Sequence, residues 1–305
     1  MLWQQLPQKA QHGRSLCEED PALSSTSRNT INDAATSTGI HIRANTQFED
    51  DIQQSLKTSE EEYLNLLVEQ SLHPFQNEIT MKMRATLIDW LVEVSDEFGL
   101  VPETLYLSVS FVDRVLQREN IPRRSLQLLG ISCILLASKF EEIYSPQISE
   151  LCDITDGTYC PDQVKQMERR ILEVLQFRLC QPTVNTFLVL YKSVVPADDT
   201  MYSLSSYLCE LTLFDCRFYQ YKMSLIAATA VRMSQLMLGL NNLSAEFQKI
   251  TGYGEADMKD CAKLIQDFVA STTNLSAFAV YDKYSNNRFN SVATKLQLCE
   301  WPWFV

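Results

Sequence analysis

Glycine and proline are scarce in this chain, 8 and 10 among 305 residues, and runs that alternate apolar with polar side chains are few. Strands and the tight turns that join them therefore have little to build on, and with 46% apolar residues the sequence reads as all-α. Histidine is scarcer still. His12, His41 and His73 all precede the strongly periodic part of the chain, where an imidazole would lack the shell that orients a catalytic base. No Gly-x-Gly-x-x-Gly, P-loop, His-Glu-x-x-His or nucleophile-elbow pattern occurs, and Gly252-Tyr253-Gly254 is too short to cradle a phosphate. The chain is not expected to be an enzyme or to need a metal or cofactor. Cationic residues are also in deficit: 26 Lys and Arg against 38 Asp and Glu leave a net charge of -12. Nonspecific binding to nucleic acid or to an anionic membrane needs a cationic face, so a partner with a basic surface fits better. The longest apolar run, Leu128 to Ser138, is too short to cross a bilayer. The nine cysteines lie singly, several within apolar runs (Cys133, Cys209, Cys261), and read as small buried hydrophobes in a reducing compartment. In such a compartment the Asn-Leu-Ser sequons at Asn242 and Asn274 carry little weight.

What is present is helical periodicity, in a chain long enough for about two domains. Residues 1–46 mix Ser, Thr, Asn, Gln and Asp with little apolar pattern, and are expected to be a disordered tail. From Gln47 the pattern changes. Phe48, Ile52 and Leu56 form a stripe on a short helix that must dock on something, and a second amphipathic run, Ser59 to Leu72, opens with Ser59 and Glu62 at capping-box spacing. These make an N-terminal helical segment over 47–78. Five helices then follow over 79–180: Ile79 to Phe98, Pro102 to Gln117, Arg123 to Glu142, Pro146 to Ile154 and Pro161 to Leu175, with Pro in the first turn of several. The third has no polar face and should be the axis of a bundle. After Gln181-Pro182 the pattern repeats over 181–275, as Thr183 to Val195, Thr200 to Cys216, Tyr221 to Leu238, Ser244 to Thr251 and Glu255 to Ala270, again around an apolar middle helix. Two tandem five-helix bundles, preceded by a short helix and followed by a C-terminal extension over 276–305, are the expected architecture.

The stretch Met83 to Val94 carries more information than any other. Met83, Leu87, Trp90, Leu91 and Val94 follow a spacing near 3.6, and Ala85, Ile88 and Val92 cover most of the opposite face, so the helix should be buried among others. Arg84 then sits at the edge of a core, where a guanidinium is tolerated only against a carboxylate, and Asp113, within the apolar run Val109 to Leu116, is the best candidate. The pair reads as a structural clamp.

Met83-Arg-Ala-Thr-Leu-Ile-Asp-Trp-Leu-Val-Glu-Val94, Leu105-Tyr-Leu107, Leu126-Gln-Leu-Leu-Gly130, Leu136-Ala-Ser-Lys-Phe-Glu-Glu142, Met167-Glu168 and Pro182-Thr-Val-Asn-Thr-Phe187 together resemble the cyclins, most of all the A-type cyclins of plants, with B-type next. The similarity is strong over about 47–180 and weaker but continuous to about 295. It implies two cyclin-box bundles in a non-catalytic subunit that forms a heterodimer with a cyclin-dependent Ser/Thr kinase, activates it and serves cell-cycle progression in the nucleus and cytoplasm. It also implies roles for individual residues. Lys139 and Glu168 match the pair that bonds to the kinase C-helix and its preceding loop; Phe140, Leu172, Phe177 and Leu179 match the apolar residues around that pair, and Ile52 a docking residue of the N-terminal helix. Met83, Leu87, Trp90, Glu93, Leu126 and Gln127 match a shallow patch that captures Arg-x-Leu motifs of substrates and inhibitors, the Leu in the groove and the Arg on Glu93. Two departures stand out: Thr86 replaces the family's usual Ile, and residues 1–46 hold neither an Arg-x-x-Leu destruction box nor a Lys-Glu-Asn motif. The competing reading is a cyclin-fold scaffold without kinase activation, as in transcription, which the acidic charge disfavours.

Overall fold

The computed structural model describes residues 42–68, 77–192, 195, 199–271 and 278–296. Most of residues 1–46, expected as a tail, and part of the C-terminal extension lie outside that set. No strand occurs among the described residues. The first helix, α1 (Ile42–Val68), is one element of 27 residues where two had been expected. Nothing between Gln47 and Val68 is Gly or Pro, so the helix does not stop, and Ser59 and Glu62 lie inside it with no cap to form.

The first bundle comprises α2 (Met81–Glu97), α3 (Pro102–Arg118), α4 (Leu126–Glu141), α5 (Ile148–Asp153) and α6 (Pro161–Val174). Its helix starts are chemically set. The Thr80 hydroxyl accepts from Met83 N at 3.3 Å, and Pro102 and Pro161 fill first-turn positions where an N–H would have no partner. Side-chain oxygens of Glu150 and Gln163 accept from the backbone N–H groups of Gln147 (2.7 Å) and Cys160 (2.9 Å). Every residue of α4 from Leu126 to Ser138 is buried except Gln127, and α4 packs on α2, α3, α5 and α6. Gly130 permits the closest crossing: a Cβ there would lie 2.8 Å from Leu87 Cδ1 on α2.

The second bundle repeats the plan with α7 (Val184–Lys192), α8 (Asp199–Leu211), α9 (Met223–Met237), α10 (Ala245–Thr251) and α11 (Glu255–Ser271). Buried α9 takes the axial place against α7, α8, α10 and α11. The chain leaves α10 through Gly252 at φ 77°, a left-handed C-terminal turn that closes the Gly252 N–H on Gln248 O at 2.8 Å. Helix α8 ends at Leu211, short of the expected Cys216. Single 3₁₀ turns, Thr212–Phe214 and Cys216–Gln220, follow it, joined through Asp215, whose carboxylate caps the second at Arg217 N (2.9 Å).

Two short helices close the described chain, α12 (Ala279–Ser285) and α13 (Val292–Leu296). Helix α12 packs on both α2 and α8. Its first N–H, at Ala279, donates to Asp89 at 2.8 Å, while Lys283 neutralises the buried Glu210 of α8 and the Tyr284 hydroxyl donates to it, both at 2.7 Å. Asp89 is held in place at a cost. Desolvation, with Glu93 and Asp282 nearby, pushes its carboxyl up to about 6, against the lowering effect of the Ala279 bond.

Candidate functional site

Arg84 does more than the sequence suggested. It is buried, 4% exposed, not marginal, and its fork meets Asp113 twice, Nε to Oδ1 at 2.6 Å and Nη2 to Oδ2 at 2.8 Å. The remaining donors cross to the second bundle: Nη1 bonds Leu213 O (3.0 Å) and Phe214 O (3.4 Å), and Nη2 reaches the Tyr219 hydroxyl at 2.5 Å. Tyr219 in turn donates to Asp113 Oδ2. Burial, the largest single effect, would depress the guanidinium, but the charge and hydrogen bonds of Asp113 together with Tyr219 and Cys216 outweigh it and raise Arg84 above its ordinary value. Helix α1 bridges the same two bundles. Buried Glu60 accepts from both the N–H and the hydroxyl of Ser224 at 2.7 Å, so a carboxylate from another helix caps the positive end of α9. Tyr63 shares a 3.3 Å hydrogen bond with Ser110 of α3. Glu103 fixes the linker through Thr183 (2.6 Å), Asn185 (2.8 Å) and Thr186 (3.0 Å).

On this rigid frame lies the first candidate surface. Lys139, in the last turn of α4, and Glu168, on α6, are 29 positions apart yet meet at 2.6 Å, with their side chains 43% and 14% exposed. Phe140 is 47% exposed and Phe177 70% exposed, while Leu172 and Leu179 are half-buried against the core. Phe177 sits in the left-handed region at φ 58°, its N–H tied to Leu172 O at 3.0 Å, a conformation that costs a non-glycine residue about 1 kcal/mol or more. The backbone thus holds a large ring out in water. Ile143 and Tyr144, each 90% exposed after the end of α4, were missed in the sequence. The signal was there: two bulky residues outside any helical register, in the loop Glu142-Ile143-Tyr144-Ser145. Ile52 is also exposed, but on α1.

The second candidate surface is shallower than the sequence implied. Leu87 and Leu126 are fully buried in the α2–α4 crossing, and Trp90 is only 9% exposed. What remains at the surface is half-buried Met83 and Gln127 with exposed Glu93. The Thr86 hydroxyl is satisfied within its own helix by Lys82 O at 2.9 Å, so it adds no unpaired polar group there. No group of His, Cys, Asp and Glu fit to hold a metal ion occurs among the described residues, and no described helix is long and apolar enough to cross a membrane.

Two tandem helical bundles, each threaded by a buried axial helix, define an all-α protein of repeated plan, with charged and apolar side chains displayed at helix ends. The family models named "Cyclin, N-terminal domain" and "Cyclin, C-terminal domain" match residues 51–180 and 182–298. The chain belongs to the cyclin family, whose members are regulatory subunits and not catalysts. Among its relatives, Cyclin-A3-1 of Oryza sativa subsp. japonica is 42% identical over 234 residues, covering 74% of this chain and 63% of that one. Cyclin-A3-2 of the same plant is 37% identical over 263 residues, 84% and 68% of the two chains. "G2/mitotic-specific cyclin C13-1" of Daucus carota is 38% identical over 250 residues, 80% and 73%. The chain therefore spans about two thirds of the length of these plant relatives. In fold it resembles a viral cyclin from herpesvirus saimiri (TM-score 0.63, 21% identity, covering 76% of this chain and 100% of that one).

Proposed function

We propose that the chain binds and activates a cyclin-dependent Ser/Thr protein kinase through the surface centred on Lys139 and Glu168. The observations that carry this reading are a half-open ion pair between the last turn of α4 and α6, with exposed Phe140, Ile143 and Tyr144 at the end of α4 and exposed Phe177 just after α6. Soluble proteins seldom leave so many large apolar side chains in water unless a partner covers them. A partly exposed ion pair contributes about 0–1 kcal/mol, so it opens at little cost and offers both ends to new hydrogen bonds. Cyclin family membership supplies the partner: the kinase C-helix and activation segment, held in their active arrangement because only that arrangement meets this surface well. The kinase brings ATP, magnesium and the catalytic residues. Substrate recruitment through Met83, Trp90, Gln127 and Glu93, with buried Leu87 and Leu126 beneath, is the second part of the proposal, as is service in S phase and G2/M from nucleus and cytoplasm. Timing at mitosis is supported by the carrot relative, a G2/mitotic-specific cyclin. The direct test is addition of the chain to an isolated plant cyclin-dependent kinase and a short peptide substrate: phosphate transfer should rise by orders of magnitude, and no rise with any kinase of that class would overturn the reading.

A further inference from the structure

Helices α2, α5, α6 and α9 end in one and the same hydrogen-bonded turn, and at α6 it is made from residues that suit it poorly. In each, one backbone N–H reaches back five residues and the N–H before it reaches back three, around a left-handed residue. After α2 the bonds are Leu100 N to Ser95 O (2.9 Å) and Gly99 N to Asp96 O (3.1 Å), with Gly99 at φ 61°. After α9 they are Leu240 N to Gln235 O (2.9 Å) and Gly239 N to Leu236 O (3.0 Å), with Gly239 at φ 79°. After α5 they are Gly157 N to Cys152 O (3.2 Å) and Asp156 N to Asp153 O (2.9 Å), with Gly157 at φ 65° and Asp156 at φ 53°. The 3₁₀ turn Asn287–Phe289 closes in the same way through left-handed Asn290 and Ser291. Every left-handed place in these four turns holds glycine or a short polar residue, and glycine, Asp and Asn are the types that visit this region most readily.

After α6 the matching bonds are Phe177 N to Leu172 O (3.0 Å) and Gln176 N to Glu173 O (3.1 Å), yet the left-handed residues are Gln176 at φ 53° and Phe177 at φ 58°. A long side chain and a bulky ring both sit where a Cβ is unwelcome. The conformation is over-determined, because Arg178 N also closes on Leu175 O at 3.0 Å and Leu179 N on Phe177 O at 3.1 Å. The Gln176 side chain is itself exposed, so no core contact asks for it. An apolar residue in the place of Phe177 commonly folds back onto its own helix. Here the ring stays 70% exposed. Strain held in this way gathers at binding sites, where it fixes a side chain in advance.

We infer that Gln176 is a positioning residue of the partner surface: the double left-handed turn it shares with Phe177 sets the direction of the Phe177 ring before a kinase arrives. A ring ordered beforehand spares the complex the cost of ordering it on binding. This role presupposes the kinase binding proposed above, so the parent chain is titrated calorimetrically with the kinase beside full-length Q176G, Q176V, F177A and Q176V/F177A, with thermal melts of each. Glycine keeps the turn, and Q176G should bind within about twofold of the parent. Valine, branched at Cβ, is all but excluded from the left-handed region, and Q176V should bind at least about tenfold more weakly with its melting little changed. In the F177A background Q176V should cost nothing further, since the ring it would misdirect is gone. That last comparison separates aiming of the ring from a general loosening of the fold, which would weaken binding with or without Phe177. Parental affinity in Q176V, no loss in F177A, or an equal loss from Q176V in both backgrounds would each overturn the inference. A parent chain that binds no kinase would overturn the kinase-binding proposal, and this role with it, so the parent titration alone tells the two failures apart.

Discussion

Exchanging the two charges of the Lys139–Glu168 pair separates an internal role from an interface role. K139E alone places two carboxylates where an ion pair stood at 2.6 Å, whereas K139E/E168K restores an ion pair with its direction reversed. Within the chain the pair is worth little. With side chains 43% and 14% exposed it contributes about 0–1 kcal/mol, so either variant should melt within about 2–4 °C of the parent. At an interface the sums differ. Closing a partner over the pair removes its water, and a charge left facing the wrong group costs about 2–5 kcal/mol, about thirty- to several-thousand-fold in Kd. Calorimetric titration of the kinase into each variant, beside thermal melts and the peptide-phosphorylation assay, reads both quantities. K139E and K139E/E168K should both lose kinase binding and activation while staying folded. Recovery of near-parental affinity in the double variant would show that only the internal ion pair matters, and would refute the interface role.

Three further outcomes concern buried and half-buried groups. D113A should destabilise the chain by about 3–5 kcal/mol in urea unfolding, because it strands the Arg84 guanidinium in the core; a loss below about 1 kcal/mol would show that Leu213 O, Phe214 O and Tyr219 suffice as partners. M83A should weaken an Arg-x-Leu peptide by about 1 kcal/mol in fluorescence anisotropy with little change in melting, whereas W90A, at a residue 9% exposed, should cost about 3 kcal/mol of stability first. Equal effects of M83A on peptide binding and on melting would remove the docking role. For Asp89, whose carboxyl is raised to about 6, the folded state holds its proton between about pH 4 and 6 where the unfolded state has lost it. Stability from this group therefore falls as pH rises through that window. D89N, which retains an oxygen for Ala279 N, should be more stable than the parent at pH 7 by about 1 kcal/mol, allowing for screening at a half-buried site, and no different near pH 4. A parent that gains stability through this window relative to D89N would contradict the assignment.

Helices and their order were legible because each carries its own punctuation. Thr80, Pro102, Pro161 and Ser244 open helices, and the unbroken apolar runs of α4 and α9 mark the two axes. Expectation went wrong where local pattern and chain continuity conflicted. The Ser59 capping box looked sound in sequence, but with no breaker before it α1 runs straight through. Individual side chains were harder. Arg84 and Asp113 could be paired on paper because each falls within a largely apolar run, but the acceptors at Leu213 and Phe214 are about 130 positions away, and no local pattern encodes them. Periodicity put Leu87 on the same face as Met83, yet it cannot say that Gly130 lets α4 close over it.

The reach of Arg84 across the bundle boundary has a consequence for how such a tandem chain can evolve. Duplicated modules usually drift apart into units that can be shuffled, lost or expressed alone. A fragment ending at Cys180 would keep the Arg84–Asp113 pair but lose the carbonyls of Leu213 and Phe214, and Glu103 would lose Thr183, Asn185 and Thr186. The complementary fragment would begin α9 with an uncapped Ser224. Each half would give up polar partners that the other supplies, so substitutions at the seam must be matched on both sides within one molecule.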